Sequence, residues 1–273
     1  MLTRLIPASQ EALPAIGLGT WQTFDVRGAG AYPPLRQTLE TLQVAGGSVI
    51  DSSPMYGRAE EVVGELTAAL PTRDAFFYAT KVWTQGREAG VRQMQDSLHK
   101  LCRSSIDLLQ IHNLVDWQTH LPTLRAWQAA GKVRYLGITH YTDSMHGELE
   151  RVLRQEKLDF VQFNYSILDR HAEQRLLPAA ADLGVATLIN RPFTEGGLLA
   201  HVQGRALPPW ATELGISSWP QFLLKFILSH PAVTCVIPGT SSPTHLADNL
   251  GAAAGPLPDA ATREKMAAYV RTL

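Results

Sequence analysis

The 273-residue sequence has only two cysteines, Cys102 and Cys235, far apart and in no CxxC pair. That excludes a disulfide framework and a cysteine-based zinc site, and a reducing compartment is expected. Charge of one sign is also missing: 24 Lys+Arg stand against 25 Asp+Glu, a formal net charge of −1. Nucleic-acid binding is not expected without a basic excess, and no basic cluster marks an anionic membrane surface. Long apolar runs are lacking as well. FLLKFIL carries a lysine in its middle, and no stretch reaches the ~18 residues of a membrane span. The N-terminal MLTRLIPASQEALP has no apolar segment of the roughly 7–15 residues that a secretory signal needs. A soluble, cytoplasmic, globular protein is the expectation.

What is present is a chain that is 45% apolar and 18% charged, enough to build a large core. Short β-branched runs recur: AIGLGTW (15–21), SVIDSS (48–53), FFYATKVW (76–83), IDLLQIHN (106–113), RYLGITHY (134–141), DFVQFNY (159–165), ATLINRPF (186–193) and VTCVIPGT (233–240). Between them lie amphipathic stretches such as LRQTLETLQVAG (35–46) and GVRQMQDSLHKL (90–101). Gly131 and Gly184 stand where helices are commonly closed. Eight strand–helix units without a compositional break predict an α/β fold, a single (β/α)8 TIM barrel over residues 1–273. A doubly wound sheet is the alternative, but it asks for GxGxxG after the first strand, and Gly17-Leu18-Gly19-Thr20-Trp21-Gln22 does not supply it.

Barrel enzymes carry their chemistry at the C-terminal strand ends. Here those ends offer Asp51 with Tyr56 just beyond, Lys81, His112, Thr139 with His140, Gln162 with Asn164, Asn190 with Arg191, and Thr240. A tyrosine is a poor proton donor at neutral pH; a lysine ammonium beside it lowers its pKa, and a carboxylate holds the lysine. A histidine opposite can donate to a carbonyl oxygen. The set suits carbonyl reduction with hydride from a cofactor.

At these residues the sequence resembles the aldo-keto reductase family. GLGTW (17–21), the turn Asp51-Ser52-Ser53-Pro54-Met55-Tyr56-Gly57, ATKVW (79–83), LLQIHN (108–113), GITH (137–140), VQFNY (161–165) and IPGTSSPTHLADN (237–249) follow the family's motifs in order, over essentially the whole chain. The resemblance implies reduction of an aldehyde or ketone, with Tyr56 as acid, Lys81 tuning it, Asp51 holding Lys81 and His112 orienting the carbonyl. It also implies a nicotinamide cofactor lying across the top of the barrel. Its contacts would be Thr20 and Trp21 after the first strand, Thr139 and His140 at the carboxamide, Gln162, and Asn190, Arg191, Pro192 and Phe193 after the seventh. Ile237, Gly239, Thr240, Ser241, His245 and Asn249 would hold the phosphate and adenine end. Ser242 and Pro243 read as the cap and first residue of a helix there, an anion site.

The pattern departs from the family in three places. Gly239 and His245 stand where many members carry a lysine and an arginine for the 2′-phosphate, each such contact worth ~1.5–3 kcal/mol. NADPH is implied by the resemblance, with NADH the alternative. Thr139-His140 replaces Ser-Asn, and Asn190 replaces the aromatic that stacks on the nicotinamide, leaving Phe193 or Arg191 to compensate. Trp21, Trp83 and Trp117 are candidate walls of the substrate pocket.

Taken singly, each of the four central residues has a structural reading; their joint placement at matched strand ends is what points to function. Trp127, Trp210 and Trp219 are read as packing residues, Cys102 and Cys235 as inert buried thiols, and His171, His201 and His230 receive no role. Two other readings stay open: a cofactor-holding regulatory barrel with weak turnover, and a metal-dependent hydrolase on His112, His140 and Asp51. The second lacks HxH or HExxH, and no metal site is assigned.

Overall fold

The computed structural model describes residues 1–273, the side chain of Ala29 excepted. A two-stranded antiparallel hairpin, β1 (Thr3–Leu5) and β2 (Ala12–Pro14), comes first. Eight parallel strands follow in sequence order: β3 (Leu18–Gly19), β4 (Val49–Asp51), β5 (Phe77–Val82), β6 (Ile106–His112), β7 (Val133–Thr139), β8 (Phe160–Asn164), β9 (Ala186–Asn190) and β10 (Cys235–Val236). Each of the eight runs read from sequence coincides with one of them, β7 starting one residue before its run. The principal crossovers are helices α1 (Tyr32–Val44), α2 (Ala59–Ala68), α3 (Arg87–Lys100), α4 (Trp117–Ala129), α5 (His146–Gln155) and α6 (Leu176–Leu183). After β9 come the short α7 (Gly197–His201) and then α8 (Trp219–Leu228); α9 (Pro243–Gly251) and α10 (Ala260–Arg271) end the chain.

The sheet closes on itself. Parallel bridges join Ile16 to Val236 and Gly19 to Gly239, with Gly17 N–H donating to the Val236 carbonyl at 2.8 Å and Gly19 N–H to the Pro238 carbonyl at 3.0 Å. The result is a (β/α)8 barrel. The first and last strands are shorter than their sequence runs: the two meet only by single bridges, and Pro238 has no N–H to give. Gly19 is required at the seam: a Cβ would lie 2.9 Å from the Ile237 carbonyl oxygen.

Helix starts follow local chemistry. Ser218, Ser242 and Asp259 accept from the backbone N–H of Gln221, His245 and Thr262, capping α8, α9 and α10, with Pro220 and Pro243 in the first turns of α8 and α9. Gly131 and Gly184 have φ of 71° and 65°, the left-handed values that end α4 and α6. Outward-facing strand residues and the inner helix faces form the main core, while a second cluster fills the barrel's lower interior: Val49, Phe77, Ala79, Leu108, Tyr135, Phe160, Ala186, Leu188 and Cys235, plugged from below by Ile6 and Leu13 of the hairpin. Trp127 is buried, and Trp210 and Trp219 pack on Phe222 and Tyr269.

One expectation fails. Cys235 is buried, and burial pushes its thiol up, but Cys102 is exposed. It follows the last turn of α3 with φ 54°, a left-handed residue that carries the chain off the helix.

Candidate active site

Alternation along the parallel strands brings Asp51, Lys81, Gln110 and Gln162 to one level above the apolar cluster, Lys81 being in register with Gln110. Lys81 is fully buried; its ammonium donates to Asp51 Oδ2 at 2.7 Å and to the Ser52 carbonyl at 2.7 Å. Asp51 Oδ1 accepts from Gln162 Nε2 at 2.9 Å and Gln110 Nε2 at 3.2 Å. A buried ion pair survives desolvation only when its remaining hydrogen-bonding groups are satisfied, and here the carboxylate has three donors. Gly137 makes room for this layer: a Cβ there would stand 3.1 Å from Gln110 Cγ.

Lys81 Nζ lies 4.8 Å from the centroid of the Tyr56 ring, so the ammonium is held between a carboxylate and a phenol. Burial alone would lower Lys81, but Asp51 and Tyr56 outweigh it and keep the group above its ordinary value. Tyr56 departs from expectation. Burial raises its phenol above the usual range, Lys81 pulls it back and Asp51 pushes it up, so the net shift is upward rather than downward. The half-buried ring therefore carries its proton at neutral pH.

His112, at the end of β6, meets Tyr56 edge-on with ring centroids 5.8 Å apart. Burial, with Lys81 and His140 nearby, pushes its pKa down to about 2, so the imidazole is neutral. Its Nδ1 is 3.0 Å from Ser53 Oγ, and that hydroxyl already accepts from Met55 N–H at 3.2 Å. Ser53 is thus free to donate to Nδ1, which leaves the proton on Nε2. Sequence reasoning passed over Ser53; only the fold shows it behind the histidine.

These groups form part of the floor of a cleft of about 590 Å³. Trp21, Trp83, Met55, Phe193 and Leu199 line it together with Tyr56 and His112. Trp83 lies 6.4 Å from His112 between ring centroids. Trp117 is not in this lining: it opens α4, half-buried, with the Arg151 guanidinium 6.0 Å from its ring. Of the residues assigned to the cofactor, Thr20, Trp21, Thr139, Gln162, Asn190, Arg191, Pro192, Phe193, Ile237 and Gly239 line the cleft. Thr20 is fully buried, its hydroxyl donating to the Asp51 carbonyl at 2.9 Å. His140, Thr240, Ser241, His245 and Asn249 stand outside that lining: Thr240 and Ser241 just before α9, His245 in its first turn and Asn249 in its last.

Asn190 Nδ2 donates to the His140 carbonyl at 3.2 Å, while its buried Oδ1 has no partner among the described residues. Where an aromatic was sought, the cleft instead has Tyr141, with the Arg191 guanidinium 4.5 Å from its ring centroid and ion-paired to Glu195. His140 stacks on the other side chain of this pair, its ring 5.3 Å from that of Tyr141. Asp51, His112 and His140 form no group with metal-ligand spacing among the described residues.

A buried carboxylate–lysine pair, a tyrosine and a neutral histidine thus stand together at the C-terminal mouth of a (β/α)8 barrel. The Aldo/keto reductase family model matches residues 15–267, and the chain belongs to that family of NAD(P)H-dependent oxidoreductases. It is 26% identical over 297 residues to the NADH-specific methylglyoxal reductase of Escherichia coli (strain K12), covering 88% of this chain and 90% of that protein. To the aldo-keto reductase YhdN of Bacillus subtilis (strain 168) it is 29% identical over 199 residues, 66% of this chain and 59% of that protein's length. A crystal structure of an aldo-keto reductase from Klebsiella pneumoniae in complex with NADPH superposes with a TM-score of 0.83 at 25% identity, over 99% of this chain and 96% of that one.

Proposed function

We propose that the protein reduces an aldehyde or ketone to the alcohol, with Tyr56 as proton donor and NADPH as the preferred cofactor. The observation that carries this reading is Lys81, fully buried, with Asp51 Oδ2 at 2.7 Å on one side and the Tyr56 ring at 4.8 Å on the other. Proton transfer from a positioned side chain contributes ~10²–10⁴-fold to a rate. As the phenol gives up its proton, the Lys81 ammonium stabilises the phenolate, and Asp51 prevents the lysine from turning away. The Nε2–H of neutral His112 is free to hold a carbonyl oxygen between itself and Tyr56. Trp21, Trp83 and Phe193 exclude water from an apolar substituent.

The cleft suits a nicotinamide cofactor, because the orphaned Asn190 Oδ1 can accept from a carboxamide N–H and Thr139 stands beside it. When bound, that cofactor supplies the hydride. Tyr141 and Arg191 would cover it at the position where Asn190 offers no ring, and the capped N-terminus of α9, with Thr240, Ser241 and His245, would take a phosphate. The Klebsiella relative was crystallised with NADPH, while the Escherichia coli relative is named as NADH-specific. Gly239 and His245 bring no permanent cation to the 2′-phosphate, which keeps NADH as the alternative.

Asn190 also favours a second reading, a cofactor-holding barrel of weak turnover. Our reading extends to a single-domain cytoplasmic protein, monomeric or a small homo-oligomer. No helix among the described residues is long and apolar enough to cross a membrane. The test is tryptophan-fluorescence titration with NADPH and NADH, followed by multiple-turnover assays on small and aromatic aldehydes. Tyr56→Phe is expected to bind the cofactor as the parent does and to lose turnover by ~10²–10⁴-fold. Full activity in that variant overturns the assignment; saturable binding with no turnover in the parent establishes the second reading instead.

A further inference from the structure

The loops that follow β7 and β8 bring a second polar group together on the rim of the barrel, beside the cleft and separate from its lining. His146 opens α5 and is buried, with its Nε2 2.9 Å from Asn164 Oδ1 and its Nδ1 3.0 Å from Nδ1 of His171. Asn164, at the end of β8, gives its amide hydrogens to Asp143 at 2.6 Å and Asp169 at 2.5 Å. An amide that donates twice through Nδ2 can only accept through Oδ1, so His146 carries its proton on Nε2 and presents a lone pair at Nδ1. That lone pair faces another imidazole nitrogen at a separation close to that of two ligands of one ion: Zn–N bonds of ~2.0–2.1 Å at a tetrahedral ion put the nitrogens ~3.3 Å apart.

Charge points the same way. Asp143 and Asp169 converge on one amide, and among the described residues neither forms an ion pair with a lysine or arginine. One Asp169 oxygen is buried without a partner. Ligand atoms of Asp143, His146 and His171 lie within 4.8 Å of one another. A histidine whose far nitrogen is fixed by a hydrogen bond to an oxygen acceptor is the usual arrangement behind a metal ligand.

We propose that Asp143, His146 and His171 bind one divalent transition ion of the zinc type, with Asn164 orienting His146 from behind. Two imidazoles and a carboxylate select zinc, nickel or copper over magnesium or calcium. The ion would tie the 140–146 segment, which carries Tyr141 into the cleft, to the turn that precedes α6. It lies apart from Tyr56, Lys81 and His112 and takes no part in proton transfer.

The test uses chelator-treated full-length protein in a Cys102→Ser background, which removes the exposed thiol as a rival ligand. Titration with ZnCl₂ followed by calorimetry is expected to give one site per chain, and thermal unfolding an upward shift with zinc. His171→Ala and Asp143→Asn alter exposed side chains, so both should fold, and each should weaken zinc binding about tenfold or more. His171→Ala is expected to lose the zinc-dependent thermal shift. Absence of saturable zinc binding by the parent overturns the proposal and leaves a hydrogen-bonded His146–His171 pair. Equal affinity in parent and His171→Ala overturns it as well.

Discussion

Along β5 the inward side chains run Phe77, Ala79, Lys81; along β6 they run Leu108, Gln110, His112. The same two-residue alternation thus builds two unlike halves of one barrel interior. The lower half is apolar and closed from beneath by Ile6 and Leu13. The upper half is a polar layer in which Asp51 takes donors from Lys81, Gln110 and Gln162. Below, the requirement is volume, met by any side chain of the right shape. Above, it is completeness: each buried polar group depends on a particular partner, and removing one strands another. The two halves should therefore fail in different ways.

Lys81→Met should do the most damage. It leaves the Asp51 carboxylate buried without its cation, a loss of about 3–5 kcal/mol by urea unfolding, and it abolishes turnover together with the tuning of Tyr56. Phe160→Ala, in the lower half, should cost about 3–5 kcal/mol through an unfilled cavity. The folded fraction should still bind NADPH and turn over as before, and a change in turnover per folded molecule would show that the halves are coupled.

A smaller effect separates them by pH. Burial keeps His112 neutral down to about 2, whereas the unfolded chain takes up that proton near 6.5. Its stabilising contribution is therefore complete above pH 6.5 and is lost progressively as pH falls toward 2. Between about pH 6.5 and pH 5.5 this group alone should remove about 1 kcal/mol. Unfolding curves of His112→Gln should be less steep in pH by that amount; His140, His146 and His230, also lowered by burial, add to the remaining slope in the same direction. The smallest effect is expected for Ser53→Ala. Loss of the hydrogen bond to His112 Nδ1 frees the ring to change tautomer, for about 1 kcal/mol, or fivefold, in kcat/KM with cofactor affinity unchanged.

This division also explains what was legible. Parallel barrel strands are buried on both faces and read as unbroken β-branched runs, so all eight were visible, as were the polar residues closing them. The N-terminal hairpin was not: its strands are three residues each, too short for alternation to register. Ser53 looked like any turn serine, since only the fold sets it behind His112. Trp117 failed in the other direction, because its place just past β6 gave no hint that α4 begins on it and packs it under Arg151. The downward shift foreseen for Tyr56 neglected burial, which no spacing reveals. Asp143, His146 and His171 come from two loops and share no motif, so nothing in the linear order joins them.

The seam between β3 and β10 has a consequence for how the molecule is made. Gly19 and Trp21 stand beside Ile237 and Gly239 in one wall of the cleft, joined by the bridge from Gly19 to Gly239. More than two hundred residues separate these partners, so the loop between them must be ordered before the contact forms. During synthesis the cleft is therefore half a wall until β10 has left the ribosome. The cofactor meets a finished site only once β10 is in place, and a chain stopped before residue 235 would carry Asp51, Lys81 and Tyr56 yet have nowhere to lay a nucleotide.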